Sequence, residues 1–136
     1  KLGGIDLITS GLVLIASKAL APAIMSLVAS CLSIISSAQS VVMPTLVPTV
    51  PGLVEALPGV TAQSLISAIG LGAYATGASP LSTTGANVMA NFGTVYAPTP
   101  EEEKKLFNQL LIFAAVSLVT YTIAGVIGVY SVALFH

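Results

Sequence analysis

Charged residues are scarce in this chain of 136 residues: only 7% are charged, whereas 55% are hydrophobic. Soluble domains carry about 25% charged residues, so this chain has too few to cover its surface. Five of the charged residues are consecutive, at positions 101–105. No charge occurs in residues 19–54, 56–100 or 106–136, and each stretch exceeds the roughly 20 residues that cross a bilayer as a helix. The composition therefore predicts an all-α integral membrane protein.

Side chains for enzyme chemistry are equally few. Cys31, His136 and Asp6 are the single cysteine, histidine and aspartate, so no Ser/His/Asp or Cys/His set can form. Cys31 has no second cysteine or nearby histidine for a disulfide or a metal site. The sequence contains no phosphate-binding or dinucleotide-binding glycine motif. We therefore expect no enzyme and no transition-metal cofactor. The net charge of −1 gives no basic footprint for nucleic acid.

The first 50 residues predict a short helix followed by a re-entrant hairpin. Asp6 is a predicted N-cap for a helix over residues 7–17, within the first 21 residues. Pro22 suits a first helical position, and the helix that it begins stops at the polar break 36–40. Those 14 or so residues rise only about 21 Å, which is too short for a bilayer. Residues 22–50 therefore predict a hairpin that enters and leaves on one side, which needs protein or a water-filled cavity around its tip.

Residues 61–92 predict a helix that is interrupted in its middle. Thr61 can cap a first half-helix over residues 62–74. The break at residues 76–84 is rich in glycine, proline and hydroxyl side chains, and a second half-helix follows over residues 84–92. Two interrupted apolar segments in one chain are typical of transporter binding sites.

The last segment, residues 99–135, predicts a helix that spans a membrane completely. Thr99 and Glu102 have the spacing of a capping box, and Pro100 occupies the first helical position. Residues 106–135 then contain no charge. Because the chain starts at Lys1 in the middle of a pattern and has no signal peptide, we expect it to be a piece of a longer polypeptide.

The two breaks offer the groups that hold ions in an uncharged membrane core. Half-helix N-termini favour anions, whereas unwound carbonyls and helix C-termini coordinate cations. A simpler interpretation is that these hydroxyls bond back to carbonyls of their own helices, as most serines and threonines in membrane helices do. Asn87 and Asn91 lie four apart on one helix face, where they could extend a polar pocket or bond to a neighbouring helix.

Short motifs at the first break carry a family resemblance. The break reads Ser36-Ser37-Ala38, and Pro44 follows a few residues later. This pattern resembles the hairpin tip of the ion transporter superfamily, which reads Ser-Asn-Thr before a proline. The divalent anion:sodium symporters and the malonate/C4-dicarboxylate carriers are the most similar branches. Ser37 stands where that family has Asn, and Ala38 stands where it has Thr.

The second break resembles the same superfamily. The sequence Ala78-Ser79-Pro80-Leu81-Ser82 is similar to the Ala-Thr-Pro-Pro-Asn-Ala type of motif in the family's broken helix. Leu81 and Ser82 replace Pro and Asn, so at both breaks a hydroxyl stands in place of an amide. Residues 1–7 resemble the malonate-carrier branch. The order of hairpin, broken helix and final spanning helix also matches, so the resemblance covers nearly the whole chain.

The resemblance implies one half of a homodimeric transporter with two inverted repeats. Substrate and coupling cation, sodium in the nearest branches, would bind near the bilayer midplane and move with an elevator-like domain. The N-terminal half of the same transporter would supply the other half-site. The implied function is secondary active transport of small organic anions such as malonate, succinate or citrate, in a bacterial inner membrane.

Two sets of residues are predicted to form the site. The predicted substrate ligands are hydroxyl and amide residues on both breaks: Ser36, Ser37, Ser82, Thr83, Thr84 and Asn87. The predicted cation ligands are hydroxyls or backbone carbonyls: Ser36, Ala38, Thr76, Gly77 and Ser79. The alternatives are a structural membrane subunit whose breaks serve only packing, and a transporter of a different anion in the same superfamily. A channel is disfavoured because no charged lining is present.

Overall fold

The described residues fold entirely into helices and the turns between them. The computed structural model describes residues 20–131, so the predicted N-cap at Asp6 and the helix over residues 7–17 lie outside it. The all-α prediction is confirmed for this part of the chain. The six α-helices are α1 (Leu20–Ile35), α2 (Met43–Leu46), α3 (Val50–Ala56), α4 (Ala62–Thr76), α5 (Thr83–Tyr96) and α6 (Pro100–Val126).

The segment after the first break is longer and more helical than predicted. Helix α1 ends at Ile35, as expected, but the chain is already helical at Leu20, so Pro22 lies within the helix. After the break the chain runs through a π-helical turn, α2, a 3₁₀ turn and α3 as far as Ala56, beyond the predicted end at residue 50. Three prolines split this stretch, because each lacks the N–H that a continuous α-helix requires.

Helices α1 and α4 form a parallel pair. The Ser33 hydroxyl donates to the Ala73 carbonyl at 2.6 Å, and the Thr76 hydroxyl donates to the Ser30 carbonyl at 3.1 Å. Before the Thr76–Ser30 bond along both helices Gly72 lies against Ser26, and after it Gly77 lies against Ser33. Residue numbers therefore rise together along both helices, and their C-terminal ends lie at the same end of the pair.

Helix α6 packs lengthwise against both helices of this pair and runs in the opposite direction, because its C-terminal end lies beside the start of α1. Gly125, near its C-terminal end, packs on the backbone of Ala23 near the start of α1. The Tyr130 hydroxyl, just beyond α6, bonds with the Ser26 hydroxyl at 3.4 Å. Small residues at these crossings let the backbones approach closely, which is how helices pack in membranes.

The bundle buries hydroxyl side chains beside its apolar core and exposes large apolar side chains on its surface. Eight hydroxyl side chains are buried: Ser26, Ser30, Ser33, Ser64, Thr76, Ser79, Ser82 and Ser117. Large apolar side chains of α6 are exposed instead; Ile112 is 62% exposed and Val116 is 59% exposed. Continuous exposed apolar surfaces of this kind mark contact with a membrane or another protein.

Helix α6 is the one helix among the described residues that is long and apolar enough to cross a membrane, judged by length and composition. Its capping box is confirmed, since the Thr99 backbone N–H donates to the Glu102 carboxylate at 2.8 Å and the Thr99 hydroxyl accepts from the Glu102 backbone N–H. The helix ends at Val126, earlier than the predicted end at residue 135. Gly128 follows with a φ of 85°, a left-handed conformation that ends helices.

We expect Gly72→Ala to destabilise the protein. A Cβ atom at this position would lie 2.7 Å from the Ser26 carbonyl oxygen, so α1 and α4 would have to separate. Overpacking of this kind costs about 1–3 kcal/mol. Thermal unfolding of the detergent-purified protein measures the loss. Gly70→Ala, in the same helix but with nothing within 4 Å, is the matched control. Equal melting temperatures for both variants would contradict the close approach.

The start of α6 is expected to loosen in acid. Glu102 lies before the uncharged stretch of α6 that begins at residue 106, and hydrogen bonds from the Thr99 backbone N–H and hydroxyl lower the pKa of its carboxyl in the folded protein. A lowered pKa stabilises the folded start of the helix above the ordinary carboxyl pKa, and this contribution is lost as pH falls through the lowered value. Hydrogen exchange of the α6 amides should be faster in Glu102→Gln than in the wild type at neutral pH.

The difference between these two proteins should shrink on acidification, when the wild-type carboxyl also becomes neutral. Glu101→Gln, one residue away and outside the capping box, loses only the interaction of a charge with the helix end and should change exchange less than Glu102→Gln at neutral pH. A difference between Glu102→Gln and the wild type that is the same at all pH values would contradict this assignment.

Candidate functional site at two helix breaks

The structure brings the two sequence breaks to the same end of the α1–α4 pair. Ser33, in the last turn of α1, bonds to Ala73, and its hydroxyl lies 3.2 Å from where a Cβ on Gly77 would be. Ala38, within the first break, belongs to the same buried cluster as Ala73. The chain therefore leaves both helices at neighbouring points.

These breaks lie about halfway along α6. Helix α1 has 16 residues and a length of about 24 Å, whereas α6 has 27 residues and a length of about 40 Å. Because α1 begins beside Gly125, near the end of α6, its C-terminal end reaches only to the middle of α6. If α6 crosses a bilayer, the breaks are near the bilayer midplane.

The first break exposes few free groups. The Ser36 hydroxyl donates to the Leu32 carbonyl of its own helix at 2.6 Å, and the Ser37 hydroxyl accepts from the Ser40 backbone N–H at 3.3 Å. Both side chains are half-buried, and Ala38 is buried. Ser36 therefore behaves as back-bonding serines do, while Ser37 caps the turn that follows.

The second break is held by buried hydroxyls. The Thr76 hydroxyl donates to the Gly72 carbonyl at 2.8 Å and also to α1. The Ser79 hydroxyl accepts from the Leu81 backbone N–H at 3.2 Å. The Ser82 hydroxyl donates to the carbonyls of Gly77 and Ser79 and accepts from the first turn of α5. These hydroxyls bond to backbone groups that the interruption of the helix would otherwise leave without partners.

The start of α5 is the accessible part of the predicted site. Ser82 is its N-cap, and its hydroxyl accepts from the Gly85 backbone N–H at 3.1 Å. Thr83, Thr84 and Asn87 are exposed. The first N–H groups of a helix have no carbonyl partner within it, and they carry partial positive charge. Two hydroxyls and an amide beside such a helix end can bind a small anion.

The C-terminal ends of α1 and α4 place partial negative charge near the breaks. Parallel helices place their partial negative charges at the same end, and such an end favours a cation. Within residues 20–131 no group of three histidine, cysteine, aspartate or glutamate side chains could hold a metal ion. Any cation bound here would be held by hydroxyl and carbonyl oxygens.

A column of serines on α1 belongs to the site's framework but was not predicted. Ser26, Ser30 and Ser33 follow one another at spacings of four and three, which places them on one helix face. All three are buried against α4 or the segment after α6. The Ser30 hydroxyl has no partner among the described residues. The regular spacing was the signal in the sequence that could have identified this column.

The chain has no significant match among protein-family models, curated proteins or solved structures. The candidate site therefore rests on the geometry described above and on the short sequence motifs.

We expect Ser82→Ala to destabilise the protein more than Thr83→Ala, because the Ser82 hydroxyl supports the fold and the Thr83 hydroxyl is exposed. Ser82→Ala removes an N-cap and a bridge across the break, so it should destabilise the protein by about 1–2 kcal/mol without any ligand. Thr83→Ala alters an exposed side chain and should change the stability by no more than about 0.5 kcal/mol. Thermal unfolding without added anions measures both. A larger loss for Thr83→Ala than for Ser82→Ala would contradict these positions.

Proposed function

We propose that this chain is the C-terminal part of a secondary active transporter of small organic anions, embedded in a membrane. The observation that carries the proposal is the pairing of two interrupted helices at one level, halfway along α6. Interrupted helices that meet near the bilayer midplane are the usual form of a binding site in such transporters. The sequence resemblance to the ion transporter superfamily points the same way.

The distribution of polar and apolar surface supports the membrane setting. Large side chains such as Ile112 and Val116 project outward from α6, while hydroxyls such as those of Ser33 and Thr76 lie buried between α1 and α4. In water this arrangement would expose apolar surface and bury polar groups, whereas in hydrocarbon it satisfies both. The bacterial inner membrane is the proposed location.

The electrostatics of the breaks support an anion bound together with a cation. The α5 N-terminus presents partial positive charge beside Thr83 and Thr84, and the ends of α1 and α4 present partial negative charge. The charged side chains of the described segment, Glu55 and residues 101–105, lie outside both breaks. A bound carboxylate that has no lysine or arginine beside it is stabilised by a nearby cation. This favours coupling of anion transport to a cation.

The resemblance adds the finer parts of the proposal. The substrate would be a di- or tricarboxylate such as malonate, succinate or citrate, and sodium would be the coupling ion. A second, inverted half of the transporter would complete the site, two copies would form a dimer, and transport would follow an elevator-like movement.

A structural membrane subunit is the second candidate, and one observation favours it. Thr76, Ser79 and Ser82 use their hydroxyls in bonds within the protein, so the breaks could serve close packing alone. Such a subunit would bind no anion.

A thermal-shift screen distinguishes these two candidates. The detergent-purified intact protein is heated with malonate, succinate, citrate or inorganic anions, each with and without sodium. A transporter should be stabilised by one carboxylate, and more strongly with sodium, because a ligand that binds only the folded state raises its stability. Absence of a shift with every anion in both salts would favour the structural subunit.

We further expect Thr83→Leu and Ser36→Leu to abolish uptake of the stabilising anion into vesicles. Each places apolar bulk at a break, beside the end of α1 for Ser36 and at the exposed start of α5 for Thr83. Thr120→Leu, which alters an exposed hydroxyl on α6 that bonds back to Val116, is the control and should transport normally. Membrane insertion of all three variants is checked by fractionation. Normal uptake by both break variants would reject the proposed site.

A further inference from the structure

Helix α5 carries a continuous uncharged polar face. Successive residues of an α-helix are separated by about 100° around its axis. On that geometry five polar side chains fall within one arc of about 100°, with no apolar residue between them. We call these five the polar face of α5: Thr83, Thr84, Asn87, Asn91 and Thr94.

The polar face points away from the rest of the described chain. All five of its side chains are exposed. The residues of α5 that are at least partly buried lie on the opposite side of the helix: Gly85, Met89, Phe92 and Gly93. Gly85 packs on the backbone of Ser79, and Gly93 lies beside Glu103 of α6. The helix therefore packs through its small and apolar residues and turns its polar face outward.

Hydrocarbon is an unsuitable environment for this face. The amides of Asn87 and Asn91 each need several hydrogen-bond partners, and lipid tails offer none. The bonds that the described residues provide are local, such as that from the Thr94 hydroxyl to the Asn91 carbonyl at 3.1 Å. Polar side chains in membrane helices face a bundle interior or a water-filled cavity.

The flank of the face is apolar and suits lipid or packed protein. Val88 and Val95 lie just outside the polar arc and are 44% and 70% exposed. One edge of the polar face is therefore bordered by apolar residues both in the middle of α5 and near its end. An interfacial helix would show charged residues on its polar side, and α5 has none.

We infer that the polar face of α5 lines a water-filled path that leads to the anion site at the second break. The face begins at Thr83 and Thr84, which are already part of that site, and continues for three turns to Thr94. Uncharged amides and hydroxyls hydrate a path without trapping the anion that moves through it. This inference rests on the proposed transport function and adds a route of entry to it.

Cysteine accessibility tests the path at matched depths. In a Cys31→Ala background, single cysteines replace Asn87, Val88, Thr94 or Val95 of the intact protein in membranes. Each pair of neighbours lies at the same depth but on different faces. A membrane-impermeant methanethiosulfonate is applied from either side, and it reacts only with thiolates that water reaches.

We expect Asn87→Cys and Thr94→Cys to react about tenfold faster, or more, than Val88→Cys and Val95→Cys. Equal rates within both pairs would overturn the inference, because depth and not helix face would then decide access. Reaction at the polar positions only after unfolding would overturn it as well, since protein would then cover the face. Labelling does not require a transported substrate. If no anion stabilised the protein in the thermal-shift screen, the labelling rates would still test whether water reaches the polar face.

Discussion

The parallel packing of α1 against α4 is the constraint on which the rest of the structure depends. It is held by hydroxyl-to-carbonyl bonds from Ser33 and Thr76, and it needs a glycine at position 72 because the Ser26 backbone lies where a side chain would be. In a membrane, apolar burial between helices contributes little, so close contacts and hydrogen bonds of this kind supply the attraction. Both helix breaks follow directly from the ends of this pair, so the packing of the pair sets the distance between them.

The order of the helices could be predicted because their signals are local. Thr61 and Thr99 cap helices where expected, and proline and glycine mark the second break. Element lengths were harder to predict. Helical structure resumes between Pro44 and Pro51, since each proline removes one donor without excluding a new helical turn. The early end of α6 depends on the left-handed backbone at Gly128, and composition gives no sign of that.

The site was partly predictable because the signals that mark a helix break are also local. A run of hydroxyls and glycines within an apolar segment locates a break, but it does not tell which hydroxyl faces inward. That depends on partners far along the chain: Thr76 meets Ser30, 46 residues away, and Ser33 meets Ala73, 40 residues away. The sequence motifs therefore name Ser79 and Thr83 alike, whereas the fold buries the first and exposes the second.

The buried hydroxyls hold the second break together, whereas the exposed ones do not. This difference would allow an interrupted helix to bind a ligand and remain stable. Unwinding a helix in a membrane leaves backbone groups without partners, and each costs several kcal/mol unless something replaces the lost bond. Ser82 replaces such bonds on both sides, since its hydroxyl serves the carbonyl of Gly77 and the N–H of Gly85 at once. With the break closed in this way, the exposed Thr83 and Thr84 need not support the fold. In the transporter that we propose, they would be free to exchange water for an anion without loss of the helix pair that positions the break.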